Sequence, residues 1–329
     1  MQVHFVNVGY GEATLITKDN FVMLIDGGTN RKEEYDNPGC IRIRDYLKKT
    51  GISKVDLVVV THIHDDHIGG IPEVLRNFPV SAVWINVKPI LPCLDMIEWF
   101  QSVREGNLSG VLFKNALESY KELLEECETR KIPIFQRGRG DGRVSPDQGL
   151  TVELLSPSPE HQKETLEAFE ELRSGSDLKK AEALYYEIDA KGNQTSLSLW
   201  IQAGKTAVLL TGDKVDGWDE IYRTYGNRLG SQILKVTHHG QADGMPQEMI
   251  QVSQPDIFVI CSSVDKRFNS AHPTVIDRAY AYLKENRKVG GVFVTGCLGE
   301  GFSEVKEICA VKFICDENTG EISTYYVES

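Results

Sequence analysis

Hydrophobic and polar positions in the first part of the chain follow the pattern of short strands separated by turns. Apolar residues dominate three extended segments, at Val3–Val8, 13–17 and 21–25, and polar or glycine-containing turns follow them. The run Asp56–Val60 is apolar and β-branched after its first residues, which is typical of a strand buried on both faces. Helical spacing of apolar positions covers 41–49. This succession of strands and helices predicts a layered α/β fold.

Helical spacing dominates the middle of the chain. Apolar residues recur three and four positions apart between 96 and 131, and a charged helical stretch with a break near Gly175 covers 159–190. Residues 136–149, which lie between these stretches, combine three arginines with several glycines and predict a flexible basic loop. We interpret the region from about 91 to 190 as containing a helical and loop insertion.

A second set of strands is predicted in the remainder of the chain. Short apolar segments occur at 151–155, 195–201, 206–210, 232–236, 256–261 and 292–295, with helices at 218–228 and 274–285. A β-hairpin with its turn at 317–320 is predicted within the C-terminal segment 300–329. Two β-rich halves, each covered by helices, fit a single domain over 1–329 with a four-layer αββα sandwich architecture.

Composition and charge narrow the class of protein. The 329 residues are 41% hydrophobic and 26% charged, which excludes intrinsic disorder, and no segment reaches the roughly 20 apolar residues of a membrane span. The net charge of −12 argues against a broad surface that coats nucleic acid. The seven cysteines form no C-x-x-C pair, and the N-terminus lacks the pattern of a signal peptide. We therefore expect a cytoplasmic protein with no disulfide framework and no membrane association.

A histidine cluster directly after the strand 56–60 carries the strongest chemical signal. His62 and His64 are two residues apart in an extended segment, so their side chains point to the same side. Asp66 and His67 follow just beyond the turn. Three imidazoles and one carboxylate within six residues suit Zn²⁺, with Mn²⁺ as an alternative. The competing interpretation is a histidine-rich surface loop that binds metal adventitiously.

The motif His62-x-His64-x-Asp66-His67 resembles the signature of the metallo-β-lactamase-fold hydrolases. Five further stretches resemble the branch of that superfamily that contains the hydrolase domain of the DNA-uptake protein ComEC and the pneumococcal phosphorylcholine esterase. They are the opening turn at 7–13, where Asn7 and Glu12 replace a more usual Asp, and the stretches 24–28, 211–213, 235–240 and 270–273. The resemblance covers well over half of the chain and implies a metal-dependent hydrolase.

The resemblance also implies roles for individual residues. Asp213 would supply one carboxylate oxygen to each of two metal ions, and His239 would be the late metal ligand. His238 would face the substrate, although the division of roles between these adjacent histidines stays open. Asp26 would orient a ligand imidazole, whereas the stretch 26–28 taken alone indicates only a hairpin turn. His272 is a further candidate catalytic residue and is equally explained as a packed histidine in a turn.

One departure from the family concerns the position at which most relatives have another histidine. No histidine lies between His161 and His238, and Asn193 takes that position. We therefore include Asn193 among the candidate catalytic residues. An amide oxygen is a weaker and harder donor than imidazole, so the His62/His64 metal would be held by fewer strong ligands. One or two Zn²⁺ ions are expected, and a site that prefers Mn²⁺ is an alternative.

The resemblance to the ComEC-like branch implies hydrolysis of a phosphodiester by a metal-activated water, with a nucleic acid or nucleotide as a candidate substrate. Arg137, Arg139 and Arg143 of the basic loop would clamp a phosphate, unless that loop is simply a solvated turn. Two other classes stay open. One is a hydrolase of a small ester, lactone or thioester, and the other is a non-catalytic metal-bearing partner of another protein.

Overall fold

Two β-sheets organise the protein, for which the computed structural model describes residues 1–88, 91, 94–296 and 307–329. The first sheet has eight strands in the order β15-β14-β1-β2-β3-β4-β5-β6. Their bounds are β1 Gln2–Val6, β2 Thr14–Lys18, β3 Phe21–Ile25, β4 Leu57–Val60, β5 Val83–Ile85, β6 Ile134–Gln136, β14 Ile308–Cys315 and β15 Ile322–Glu328. The strands β3 to β6 run parallel, and the others pair antiparallel.

The second sheet has seven strands in the order β13-β12-β11-β10-β9-β8-β7. Their bounds are β7 Arg143–Asp147, β8 Leu150–Ser156, β9 Ser198–Ala203, β10 Thr206–Leu210, β11 Ile233–Lys235, β12 Ile257–Ile260 and β13 Val292–Val294. The strands β10 to β13 are parallel. Each sheet therefore has a parallel half, and the carboxyl ends of parallel strands are where α/β proteins place ligand sites.

Helices cover the outer faces of both sheets. Their bounds are α1 Ile43–Lys49, α2 Asp65–Ile68, α3 Ile71–Asn77, α4 Leu94–Ile97, α5 Gln101–Arg104, α6 Leu108–Arg130, α7 Pro159–Ser174, α8 Leu178–Lys191, α9 Trp218–Tyr225, α10 Gln247–Ser253 and α11 Pro273–Glu285. Among the residues that the structure describes, no helix combines the length and apolarity needed to cross a membrane.

Three layers of buried apolar side chains separate the four layers of secondary structure. The strand β4 shows the arrangement: Val58 and Val60 pack towards the helices of the first sheet, whereas Leu57 and Val59 pack between the sheets. A third core lies between the second sheet and helices that include α9 and α11, with Trp218 and Ala279 among its members. The four-layer αββα sandwich predicted from the sequence is confirmed, and so is burial of β4 on both faces.

Three features differ from the sequence prediction. The prediction of a flexible loop at 136–149 is wrong, because this segment contributes the end of β6, a 3₁₀ turn and the edge strand β7. The region 91–190 is accordingly not all insertion, since it supplies an edge strand to each sheet. The helix α10 was not predicted. The start of the C-terminal segment at 300–306 lies outside the described residues, while 307–329 forms the hairpin β14–β15. The five cysteines that the structure describes are free, as the lack of paired cysteine motifs predicts.

Candidate metal centre

The histidine cluster occupies the loop at the carboxyl end of β4, which lies inside the first sheet between β3 and β5. His62 follows the strand directly, and α2 begins after His64, so one turn of helix carries Asp66 and His67 back towards the strand end. His62 and His67 are fully buried, and their ring centroids are 4.2 Å apart. The local sequence thus brings all four side chains to one place, as their spacing predicts.

The late candidates come from the second sheet. Asp213 follows β10, and His239 lies in a short turn after β11. Both His238 and His239 have left-handed backbone conformations, with φ of 51° and 50°. Such strained residues persist only where the surrounding structure holds them, and they concentrate at functional sites. The His239 side chain is fully buried, whereas His238 is partly exposed.

Four side chains converge where the two groups meet. Asp66, His67, Asp213 and His239 each offer one ligand atom, and these atoms all lie within 4.8 Å of one another. The Nε2 atom of His239 is 2.9 Å from Asp66 Oδ2 and 3.1 Å from Asp213 Oδ2, and His67 Nε2 is 3.3 Å from the same Asp213 oxygen. We call this set the four-residue cluster.

In both imidazoles of the four-residue cluster, the Nδ1 atom forms a hydrogen bond, which leaves the Nε2 atom available to bind a cation. His67 Nδ1 donates to Asp26 Oδ2 at 2.7 Å, and His239 Nδ1 donates to the carbonyl oxygen of Cys261 at 3.0 Å. In neutral rings the two Nε2 atoms therefore present lone pairs, although they lie only 3.3 Å apart. Two lone pairs and two carboxylates facing one another need a positive charge between them, and nitrogen and oxygen donors of this kind suit Zn²⁺. Asp26 holds the His67 ring as predicted, and it also accepts hydrogen bonds from Thr61.

His62 and His64 form a second pair beside the four-residue cluster. His62 Nε2 lies 3.0 Å from His64 Nδ1, and His64 Nε2 donates to the carbonyl oxygen of Asp189 at 3.1 Å. Gly192 makes room for this ring, because a Cβ there would lie 2.5 Å from His64 Nε2. Asn193 lines the same cavity as His64, and its buried Oδ1 has no hydrogen-bond partner. An unpaired amide oxygen at this place fits a weak third donor to a metal held by the two histidines.

One oxygen of the Asp213 carboxylate lies beside a buried lysine, Lys235. Lys235 has no solvent exposure, and its Nζ forms an ion pair with the buried Glu12 and lies 3.4 Å from Asp213 Oδ1. Asp213 Oδ1 thus faces the ammonium group and Oδ2 faces the histidines, and the bridging of two metals by Asp213 stays a prediction. Glu12, Asp26 and His67 also lie close enough to share a cation, but Lys235 already supplies the positive charge next to Glu12. A contact between residues this far apart in the chain leaves no signal in a single sequence.

The histidines and carboxylates of the four-residue cluster shift one another's pKa values. Burial lowers the pKa of His239, but the carboxylates of Asp213 and Asp66 outweigh burial and raise that pKa to about 9. Burial would raise the pKa of Asp213, yet His239, His67 and Lys235 hold it well below its usual range. The carboxylates are consequently ionised, which is the form that binds a cation.

A cavity of about 400 Å³ opens beside the four-residue cluster. Asp66 and Asp213 line it together with His238, whose Nδ1 lies 3.0 Å from Asp243 Oδ1. Gln241 Nε2 approaches His238 Nε2 at 3.1 Å and donates to the Tyr10 hydroxyl at 3.3 Å. Six further polar residues line this cavity and were not predicted from the sequence, namely Tyr10, Arg31, Asp65, Ser109, Asp189 and Gln241.

Four other candidates lie outside the cavity lining. His272 caps the N-terminus of α11, where its Nδ1 accepts a hydrogen bond from the backbone of Thr274, so the alternative of a packed turn histidine describes it better. The basic segment is tied down by acidic partners. The pairs are Arg137 with Asp141 at 2.9 Å, Arg139 with Glu220 at 2.8 Å and Arg143 with Glu153 at 2.8 Å. A phosphate clamp made of these arginines would have to break those pairs.

Comparisons with known proteins agree with this geometry. Residues 6–131 match the model of the metallo-beta-lactamase superfamily. The ComE operon protein 3 of Bacillus subtilis (strain 168) is 22% identical over 287 residues, which cover 84% of this chain and 30% of that protein. A hydroxyacylglutathione hydrolase of Vibrio parahaemolyticus is 36% identical over 73 residues, which cover 22% of this chain and 29% of the hydrolase. The chain thus spans less than a third of the length of either relative.

Among solved structures, the metallo-beta-lactamase fold protein YhfI from Bacillus subtilis aligns with 98% of this chain and 99% of its own, with 10% identity and a TM-score of 0.44. The family assignment does not depend on that alignment. It rests on the matched residues 6–131, which contain the histidine cluster, and on the αββα sandwich that brings Asp213 and His239 to it. Over residues 6–131 the chain is therefore similar to the metallo-β-lactamase superfamily.

Proposed function

We propose that this protein is a metal-dependent hydrolase that cleaves phosphodiester bonds. The observation that carries the proposal is the four-residue cluster, with buried imidazole nitrogens and carboxylate oxygens facing one another at the wall of a cavity. Asp66, at which the cluster opens to that cavity, is partly exposed.

The residues present define which groups would hold the metal. Asp66, His67, Asp213 and His239 form the stronger site, whereas His62 and His64, with the amide of Asn193, form a weaker one. Zn²⁺ is the favoured ion, and Mn²⁺ suits the weaker site because of its oxygen donor. When bound, such an ion supplies a Lewis acid and lowers the pKa of water from 15.7 to roughly 7.

Side chains of the cavity supply the remaining functions. The partly exposed Asp66 is placed to orient the attacking water as well as to bind metal. His238 lines the cavity as the candidate to contact the leaving oxygen, with its Nδ1 held by Asp243 and its Nε2 accepting from the Gln241 amide. Gln241, which contacts His238 Nε2, positions that ring at the cavity wall.

The phosphodiester is favoured by the resemblance of the opening turn and of the stretch 235–240 to the ComEC and phosphorylcholine esterase branch. A second candidate is an acyl thioester. It is supported by the 36% identity to a hydroxyacylglutathione hydrolase over 73 residues. The fold alone does not choose between these substrates.

Turnover assays with purified, chelator-treated protein test the proposal. Zn²⁺ and Mn²⁺ are added back separately, and hydrolysis of bis-p-nitrophenyl phosphate is compared with that of a thioester and lactone panel. We expect metal-dependent release of p-nitrophenol that Asp213→Ala abolishes together with bound metal. Turnover of the carbonyl substrates alone would replace the phosphodiesterase with the thioester alternative, and an inactive protein that still binds metal would favour a non-catalytic partner.

A further inference from the structure

The cavity beside the four-residue cluster is lined by apolar as well as polar side chains, and we call the apolar ones the apolar wall. The wall consists of Leu108, Leu112 and Phe113 from the start of α6, together with Phe268 and the ring of Tyr10. Leu108 is 52% exposed and Phe268 is 43% exposed. Large apolar side chains exposed at a cavity beside reactive groups indicate a ligand that covers them.

Hydrogen bonds fix the start of α6 against the candidate metal ligands. Asn107 caps the helix by accepting from the backbone of Gly110, whose carbonyl accepts the Tyr185 hydroxyl at 2.6 Å. The Ser109 hydroxyl donates a hydrogen bond to Asp189 Oδ2 at 2.6 Å. The backbone carbonyl of Asp189 in turn accepts a hydrogen bond from His64. The part of the apolar wall on α6 therefore has a defined position relative to His64.

Aromatic rings connect the opposite edge of the cavity to the four-residue cluster. The ring of Tyr10 lies 4.6 Å from that of His239 and 4.9 Å from that of Phe268, measured between centroids. Phe268 has a left-handed backbone with φ of 52°, and the adjacent Arg267 is held by ion pairs to Glu34 and Asp265. Such a strained and well-anchored aromatic residue is positioned for contact with a ligand.

The charge of the cavity opposes a polyanion. Four carboxylates line it, of which Asp66 and Asp213 would be neutralised by an ion in the four-residue cluster, while Asp65 and Asp189 would not. Arg31 is the one guanidinium or ammonium group among the described lining residues. Arg31 already pairs with Glu34 at 2.6 Å and lies 3.4 Å from Asp65 Oδ2. A nucleic-acid strand binds mainly through phosphates neutralised by lysine and arginine, and this cavity offers no free partner for them among the described residues.

We infer that the substrate is a small ester with an apolar or aromatic group beside the reacting bond, and not a polynucleotide. The nature of the cleaved bond rests on the proposed function, whereas the apolar group rests on the wall alone. The volume of about 400 Å³ suits a small molecule of this kind.

Calorimetric binding to the Zn²⁺-loaded protein tests the inference without turnover. The probes are phenylphosphonate and methylphosphonate, which share the anionic group and differ only in the apolar group. We expect phenylphosphonate to bind at least about tenfold more tightly, the preference that a hydrophobic pocket gives for added apolar groups. Leu108→Ser and Phe268→Ser should each reduce that ratio, since each removes apolar surface from the wall.

Leu178→Ser is the matched control. Leu178 is 48% exposed, begins α8 as Leu108 begins α6, and does not line the cavity. This variant should keep the wild-type ratio. Equal affinity for the two phosphonates, or tighter and strongly salt-dependent binding of a single-stranded oligonucleotide, would overturn the inference. A retained phenyl preference in a protein that hydrolyses no diester would reject the proposed reaction but support the apolar wall.

Discussion

The buried pair of Glu12 and Lys235 gives a prediction whose size follows from the structure. Neither side chain has solvent exposure, and Lys235 also donates to the carbonyl of Gly212 at 3.0 Å. Lys235→Met removes the positive charge but keeps most of the volume, so Glu12 is left buried without a counter-ion. Breaking a buried pair in this way costs about 3–5 kcal/mol of unfolding free energy. We expect that loss in the single variant.

A double variant separates this effect from loss of packing. Glu12→Gln combined with Lys235→Met leaves two neutral side chains of nearly unchanged volume, and such replacements of buried pairs are often close to neutral. We therefore expect the double variant to recover most of the stability. Lys54→Met is the surface control, because Lys54 is 52% exposed in its pair with Asp56, and such pairs contribute about 0–1 kcal/mol.

Urea unfolding of chelator-treated protein is the suitable measurement, because bound metal would otherwise stabilise the folded state and mask the difference. The argument fails if Lys235→Met loses no more stability than Lys54→Met. It also fails if the double variant is as unstable as Lys235→Met, because the cost would then come from the lost lysine and not from the unpaired carboxylate.

Three further predictions concern protonation, metal affinity and the basic segment. Burial, with a smaller contribution from Lys312, lowers the pKa of His4 from 6.5 to about 4, so folding favours the neutral ring. The unfolding free energy of the metal-free protein should therefore fall by roughly 3 kcal/mol as the pH drops from 6.5 towards 4. The metal-free His4→Gln variant should lack this loss, and parallel pH curves for the two proteins would refute the role of His4. Asp26→Asn weakens the hydrogen bond that holds His67 and should lower Zn²⁺ affinity by about 10–100-fold in a chelator competition, so an unchanged affinity would contradict the orienting role. Arg139→Ala should leave the salt dependence of substrate binding unchanged because Arg139 is paired away from the cavity, whereas a salt slope reduced by about one would revive the phosphate clamp.

The local sequence was sufficient to predict the part of the site that residues 62–67 form. The apolar run before His62 predicts a buried strand, and the spacing from His62 to His67 predicts that these side chains meet at the carboxyl end of that strand. Both predictions succeed because they involve only residues that are neighbours in the sequence. The role of Asp213 came only from resemblance, since no spacing rule links it to His62. Its contact with Lys235 was missed because that contact depends on how the two sheets are packed.

The same limit applies to the basic segment, where the predicted flexible loop was wrong, and to His272, where two interpretations were left open. Glycines among arginines normally indicate a mobile surface loop, but β7 is held in the sheet by pairing with β8, and Arg143 bonds Glu153 from that neighbouring strand. His272 precedes a proline and a helix, and its local role as an N-cap already satisfies its side chain. In both cases the structure shows which neighbours the side chains contact, and a single sequence does not contain that information.

The donors of the four-residue cluster come from both halves of the sandwich, with Asp66 and His67 beside the first sheet and Asp213 and His239 beside the second. An ion held there acts as a cross-link between two layers that otherwise meet through apolar side chains. A growing polypeptide cannot complete this cross-link until the residues up to His239 have been synthesised and both layers have docked. Loading of an ion would thereby be coupled to correct assembly, because a half-formed molecule lacks the full set of donors.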